Sequence, residues 1–264
     1  MNLLLSEIDL SLENLRKGLN GQLNMSQSME DLMENLSFNM VPGRNPFHAC
    51  SWEKLAWPSL KNLASWFADL VKRVEELGVW VGVPDRPIKL PYSIWISMLF
   101  NSTAFLTAVK QVTARKEKMP LDNMTVETHV TLTKNSEELD EKYPTDGCFI
   151  HGLFMQGARW PDKEEAEQSK EDIDGTIVGG SITESRLKDL LPAMPVMYVR
   201  AVATKPEWDA TSVGYIRPDA DIYNCPVYNS TFRGTFVFLA TLKTKEPTST
   251  WVLGGVALIM QTDD

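Results

Sequence analysis

The sequence of 264 residues has 26 Lys+Arg against 35 Asp+Glu, a formal net charge of −9 and a pI near 5.0. At roughly 100–200 residues per domain this is one large domain or two intimately packed ones, big enough to fold without disulfide or metal staples. The acidic balance argues against a nucleic-acid partner, whose phosphates are held by clustered Lys and Arg.

The three cysteines, Cys50, Cys148 and Cys225, are odd in number and far apart, which suits free thiols in a reducing compartment. The apolar start at Leu3-Leu4-Leu5 is cut off by Ser6, Glu7 and Asp9, so it is too short for a secretory signal. The most apolar stretch, Ile94 to Val112, is interrupted by Ser97, Asn101, Ser102, Thr103, Thr107, Lys110 and Gln111 and does not make a membrane span. Asn-x-Ser/Thr triplets starting at Asn24, Asn35, Asn101, Asn123 and Asn229 are then chance matches. The expectation is a soluble intracellular protein with no membrane partner.

The first half reads as helices. Leu5, Ile8, Leu12, Leu15 and Leu19 alternate spacings of three and four, one stripe along a helix that Gly18 and Gly21 end. A second helix starts near Ser26 or Ser28 and buries Met29, Leu32, Met33 and Leu36, before Val41-Pro42-Gly43 stops it. A third has Pro58 in its first turn, with Leu60, Leu63, Ala64, Phe67, Leu70, Val71, Val74 and Leu77 on its apolar face. The pattern after Pro91 predicts a fourth, with Ile94, Trp95, Met98, Leu99, Phe105, Leu106 and Val109 inside and Arg115-Lys116 near its C-terminus.

The period changes around Met119-Pro120. Thr125 to Thr133 alternates as a strand, and Phe149 to Met155, Val196 to Val202, Phe236 to Leu242 and Trp251 to Met260 follow. No helix-length amphipathic stretch separates the later strands, so the expectation is an α+β fold with an antiparallel sandwich or barrel second. The predicted division is a helical part over 1–120 and a strand part over 121–264. Residues 161–175 hold seven acidic and two basic side chains and almost nothing apolar, which predicts a mobile acidic surface loop open to proteolysis.

The motifs for chemistry are missing. No G-x-x-x-x-G-K-[ST] phosphate loop or G-x-G-x-x-G turn occurs. Gly179-Gly180-Ser181-Ile182-Thr183 imitates a nucleophile elbow, but Thr183 stands where the final Gly is needed, so Ser181 reads as part of a connecting turn. His129 and His151 are bases only if folding brings a partner to them. The pairs His48/Cys50 and Cys148/His151 do not make four convergent zinc ligands, and Cys148 and His151 fall on opposite faces of a strand. No catalytic, cofactor or metal residues are assigned.

The order Asn2-Leu-Leu-Leu-Ser-Glu-Ile8, Trp57-Pro-Ser-Leu60, Ala64-Ser-Trp-Phe67, Ser102-Thr-Ala-Phe-Leu-Thr-Ala108 and Ala114-Arg-Lys116 resembles the C-terminal domain of a dynein heavy chain. His151-Gly-Leu-Phe-Met-Gln-Gly-Ala-Arg-Trp160, Met194-Pro-Val-Met197, Tyr223-Asn-Cys-Pro-Val-Tyr228, Arg233-Gly234 and Trp251-Val-Leu-Gly-Gly-Val-Ala-Leu258 continue the likeness. Leu242-Lys-Thr-Lys245 and Gly255-Val-Ala-Leu258 look most like axonemal chains, those of the flagellar outer arm above all.

The resemblance implies a helical part followed by an incomplete β-barrel, lying against a ring of AAA+ modules in an ATP-driven, minus-end-directed microtubule motor of cilia and flagella. It implies that the ring of the same heavy chain is the partner, and that the parent complex binds microtubules and dynein intermediate and light chains. Mg-ATP belongs to the parent motor, with no cofactor expected in this stretch. Met1 is then expected to be an artificial or internal start, and Asp264 the natural C-terminus. The proposed ring-docking stripe is Leu5, Ile8, Leu12, Leu15 and Leu19. The stretches 161–175 and 205–222 look longer than the family's usual connections. Two alternatives remain open: an independent β-barrel module that binds a ligand or peptide, and a small hydrolase using Ser181.

Overall fold

The computed structural model describes residues 1–43, 52–81, 93–131, 133–134, 139, 144, 146–161, 182–184, 191–204 and 222–262. Contacts divide the molecule into one unit of Met1–Leu90 with Asp263–Asp264 and a second of Pro91–Thr262. This boundary precedes the change of period at Met119-Pro120, because the helix before that change packs on the strands after it.

In the first unit, α1 (Asn2–Leu19) and α2 (Gln27–Ser37) are followed by the short α3 (Trp52–Leu55) and by α4 (Leu63–Val81). Arg16 and Lys17 sit in the last turn of α1, where cations oppose the helix dipole, and Gly21 at φ +71° lets the backbone leave. The core holds Leu4, Ile8 and Leu15 of α1, Leu32 of α2, Val41, and the ring systems of Trp52, Trp57 and Trp66. Trp66 lies between the other two, with ring centroids 5.2 Å from Trp57 and 6.3 Å from Trp52 in near-parallel stacks. The Arg73 guanidinium, fully buried, covers the Trp57 ring at 4.0 Å. Burial lowers the Arg73 pKa to about 10 while the Asp69 carboxylate acts the other way, so the cation persists at neutral pH.

Two helical expectations shift here. The third predicted helix starts at Leu63, five residues after Pro58, because the Asn62 side chain accepts from the Ser65 amide at 3.0 Å and caps the helix there. Within α2, Leu32 is buried and Met29 and Leu36 are partly so, but Met33 is 44% exposed; Asn35 is buried instead, donating to the Asp31 carbonyl at 2.7 Å.

The second unit opens with β1 (Ser93–Trp95) and a 3-10 turn at Ile96–Met98, where the sequence period predicts helix. Helix α5 (Ser102–Glu117) begins only where Asn101 accepts from the Ala104 amide at 2.9 Å. Ile94, Trp95, Met98 and Leu99 therefore fall outside it, held by strand pairing and by Ser97 Oγ, which donates to the Met260 carbonyl at 2.5 Å.

Strands follow as β2 (Met124–Val130), β3 (Cys148–His151), β4 (Phe154–Gln156), β5 (Ala158–Arg159), β6 (Thr183–Glu184), β7 (Met197–Ala203), β8 (Ile222–Ser230) and β9 (Phe236–Lys243). Helix α6 (Thr248–Leu253) and β10 (Ala257–Gln261) complete the unit. The single strand predicted over Phe149 to Met155 is two. Gly152 turns the backbone at φ +85°, and a Cβ there would lie 2.3 Å from the Trp95 ring.

One sheet runs β1-β3-β7-β2, the other β4-β10-β8-β9, and a small third sheet pairs β5 with β6. They are mixed rather than wholly antiparallel. β1 runs parallel to β3, and β10 parallel to β8, because α6 carries the backbone from β9 across to the far side of β8. The two four-stranded sheets enclose a core that includes Ile150, Met155, Val199, Cys225, Leu242, Trp251 and Leu258, with α5 contributing Leu106.

Among the described residues no closed barrel forms. β2 and β9 approach at the sheet edges, where the Thr128 hydroxyl accepts from the Thr241 amide at 2.7 Å and donates to its carbonyl at 3.2 Å. A side chain thus does at this seam what backbone pairing does elsewhere. The seam widens into a groove of about 330 Å³ between Thr125, Val126, Leu239 and Thr241. The α+β class and the incomplete barrel agree with the sequence expectation.

Candidate functional site

Helix α1 carries apolar side chains in two neighbouring strips, and its own unit buries one of them. Leu4, Ile8 and Leu15 are buried at 0%, 6% and 6% exposure against the tryptophan core. Ser11, on the same face, accepts from Trp52 Nε1 at 2.9 Å. At about 3.6 residues per turn, Leu5, Leu12 and Leu19 form the strip beside this face. They are 36%, 37% and 62% exposed. The predicted stripe therefore divides: Ile8 and Leu15 belong to the core, whereas Leu5, Leu12 and Leu19 remain open. Sequence spacing could not separate these neighbouring strips, since the residues covering one of them are about forty positions away.

A polar rim borders the open strip. Arg16 donates through Nε at 2.9 Å and Nη2 at 2.8 Å to the two oxygens of Glu13, a two-pronged pair on the surface. That hydrogen bond, with the Arg16 charge, outweighs desolvation and holds the Glu13 carboxyl at about 2. The pair is solvated and adds little stability. It places a charge pair beside the exposed apolar strip. Leu3 and Leu10, 76% and 59% exposed, lie on the other side of the helix.

Among the described residues the candidates for chemistry stay dispersed. Ser181, His48 and Cys50 lie outside the described residues, as does the acidic loop apart from Pro161, which is buried. His129 Nε2 is 3.5 Å from Glu127, whose carboxylate takes a 2.8 Å hydrogen bond from Arg200 Nε. His151 does gain a partner that the sequence did not reveal: its Nδ1 is 2.8 Å from Ser93 Oγ, across the β1–β3 pairing. Ser93 is 6% exposed and pairs with Phe149, two residues before His151, so this contact has the form of a diagonal cross-strand hydrogen bond on one sheet face rather than a nucleophile facing a substrate cleft. Cys148 packs toward the core on the opposite face from His151, and burial pushes its thiol up to about 11. Among the described residues no group of three or more His, Cys, Asp or Glu converges for a metal, and no helix is long and apolar enough to cross a membrane.

Residues 1–260 match the family described as the C-terminal domain of the dynein heavy chain. The sequence is 42% identical over 262 residues to dynein axonemal heavy chain 9 of Homo sapiens, a match spanning 99% of the present protein. It is 38% identical to the ciliary dynein beta chain of Tripneustes gratilla, again over 99% of its length. Against the flagellar outer arm dynein beta chain of Chlamydomonas reinhardtii the identity is 39% over 98% of its length. In each case it spans about 5% of the relative's own length.

Proposed function

The protein belongs to the family formed by the C-terminal domains of dynein heavy chains, and from that premise we propose that it is the non-catalytic C-terminal domain of an axonemal heavy chain. In this reading it packs on the ring of AAA+ modules of the same heavy chain and regulates an ATP-driven, minus-end-directed microtubule motor that beats cilia or flagella. Axonemal, ciliary and outer-arm relatives support the setting. Mg-ATP, microtubules and the intermediate and light chains then belong to the parent complex.

The observation that carries the docking role is the open strip of Leu5, Leu12 and Leu19 on α1. Leucines ordered on a rigid helix, flanked by a fixed charge pair, can be covered at small entropic cost because α1 is already held by its buried face. Such a body influences the ring only if it binds one ring state better than another. A difference of about 1–3 kcal/mol would change state populations or affinities roughly 5- to 150-fold.

The experiment places Leu5→Asp and Leu12→Asp together in the complete heavy chain, with Leu3→Asp and Leu10→Asp as the control pair. Retained ATP turnover with altered stall force or microtubule release, seen in the first variant alone, supports the reading. Identical behaviour of the two pairs would remove α1 as the docking element. Turnover abolished while the ring stays folded would mean that the domain contributes to the chemistry.

A further inference from the structure

The C-terminal end of α5 borders a shallow, open cleft of about 400 Å³ lined by Gln111, Ala114, Arg115, Lys118, Met119 and Leu121. Its lining is partly apolar, from Ala114, Met119 and Leu121, and two cations stand in it. Lys116, between the two cations in sequence, is turned to the other side of the helix and pairs with Asp146. Arg115 and Lys118 form no ion pair among the described residues and are exposed.

Lys118 adds a second indication. It caps α5 in the left-handed region at φ 54° and ψ 38°, a position where Gly or Asn would be less strained. A lysine there carries a charge into the cleft at a conformational cost that its own fold does not recover through any ion pair among the described residues.

The helix end also restricts the ligand. The Lys118 and Met119 amides both turn back to the Ala114 carbonyl, the latter at 2.9 Å, which among the described residues leaves the later carbonyls of the last turn as hydrogen-bond acceptors. A bare phosphate gains from the two cations but meets the negative end of the helix dipole and finds no array of amide donors. A peptide offers both requirements: carboxylates for Arg115 and Lys118, and backbone N–H groups for the carbonyls. An apolar side chain beside the carboxylates would fill the space against Ala114, Met119 and Leu121.

We propose that this cleft is a docking site for an acidic peptide segment of a partner protein, one that carries glutamates or aspartates next to a leucine- or phenylalanine-type residue. The site uses a different unit and a different helix from the α1 strip, so it stands or falls independently of ring docking. Charge complementarity would govern the rate of encounter and its salt dependence, and the apolar side chain the residence time.

The test uses the full 264-residue sequence, all of it in one polypeptide, and a fluorescein-labelled hexapeptide with two central leucines flanked by glutamates, read by fluorescence anisotropy. Saturable binding is expected, weakened roughly tenfold or more by Arg115→Gln with Lys118→Gln. Lys243→Gln with Lys245→Gln changes net charge equally at exposed positions elsewhere and should leave affinity intact. Lys118→Gly removes one cation while relaxing the backbone, so it should fold at least as well as the parent and still bind more weakly. Absence of saturable binding, equal loss in both double variants, or full affinity in Lys118→Gly would overturn the proposal. So would a glutamine version of the peptide binding as tightly, or inorganic phosphate displacing the peptide at comparable concentration.

Discussion

Tyr223 and Cys225 show how a single carbonyl organises a buried corner. The Tyr223 hydroxyl donates to the Val256 carbonyl at 2.7 Å, and the Cys225 thiol lies 3.9 Å from the same oxygen. Burial pushes each group up to about 12, from ordinary values of 10.0 for the phenol and 9.0 for the thiol. Both are neutral acids that the fold keeps protonated, so the native state holds its protons after the unfolded polypeptide has released them. Stability from these groups is complete below pH 9 and falls as pH rises toward 12, since the unfolded state then binds fewer protons. The slope should approach roughly 1.4 kcal/mol per pH unit for each group once its unfolded counterpart is ionised. Urea unfolding at pH 8, 10 and 11 measures this, and Cys225→Ala should remove the thiol's share and leave a shallower decline. A stability that stays flat to pH 11 would show that these ionisations are not resisted by the core.

Among the elements, those whose pattern is local were legible and those fixed by distant partners were not. The α1 stripe and the alternation of β2, β7 and β9 could be read because one face of each is consistently apolar. β8 was hidden by Pro226, which breaks the usual strand signal. Pro226 stands opposite Leu239, and parallel pairing with β10 begins one residue later at Val227, so the missing amide falls at the start of that ladder. Trp251 to Met260 looked like one strand, yet Gly254-Gly255 divides it into α6 and β10. The Thr128 bridge and the Ser93–His151 bond join residues 113 and 58 positions apart, beyond any local period. Arg233 makes another such tie, from the β8–β9 turn. Its Nε and Nη2 donate to Gln156 Oε1 of β4 at 3.0 and 2.7 Å, and Nη2 also donates to the Gly255 carbonyl before β10. Three elements depend on one planar fork, so Arg233→Ala should cost about 1.5–3 kcal/mol, the range for hydrogen bonds to a charged group. Arg233→Lys should recover only part of that, because a point charge cannot reproduce the fork. Chemical denaturation of both variants decides it, and full stability in the lysine variant would count against the clasp.

At the scale of the whole molecule, exposed apolar surface and net charge act in opposite directions on association. The open strip of α1 is accompanied by Phe67, Val71 and Val74 along one side of α4, exposed at 42%, 46% and 37%. Exposed apolar strips of this kind either meet a partner or drive molecules together. A net charge of −9 resists that encounter at low ionic strength. Salt shortens the range of the repulsion, to about 8 Å at 0.15 M and about 3 Å at 1 M, while leaving hydrophobic burial in place. The isolated protein should therefore self-associate weakly and more strongly as sodium chloride rises, the reverse of an assembly held by ion pairs. Sedimentation equilibrium across a salt series, with the parent beside Leu5→Asp/Leu12→Asp, separates the contributions. The double variant adds charge at the strip and should remain monomeric at salt concentrations where the parent dimerises. Association that weakens with salt would assign it to charge pairing instead, and an unchanged dimer in the variant would place the contact away from α1.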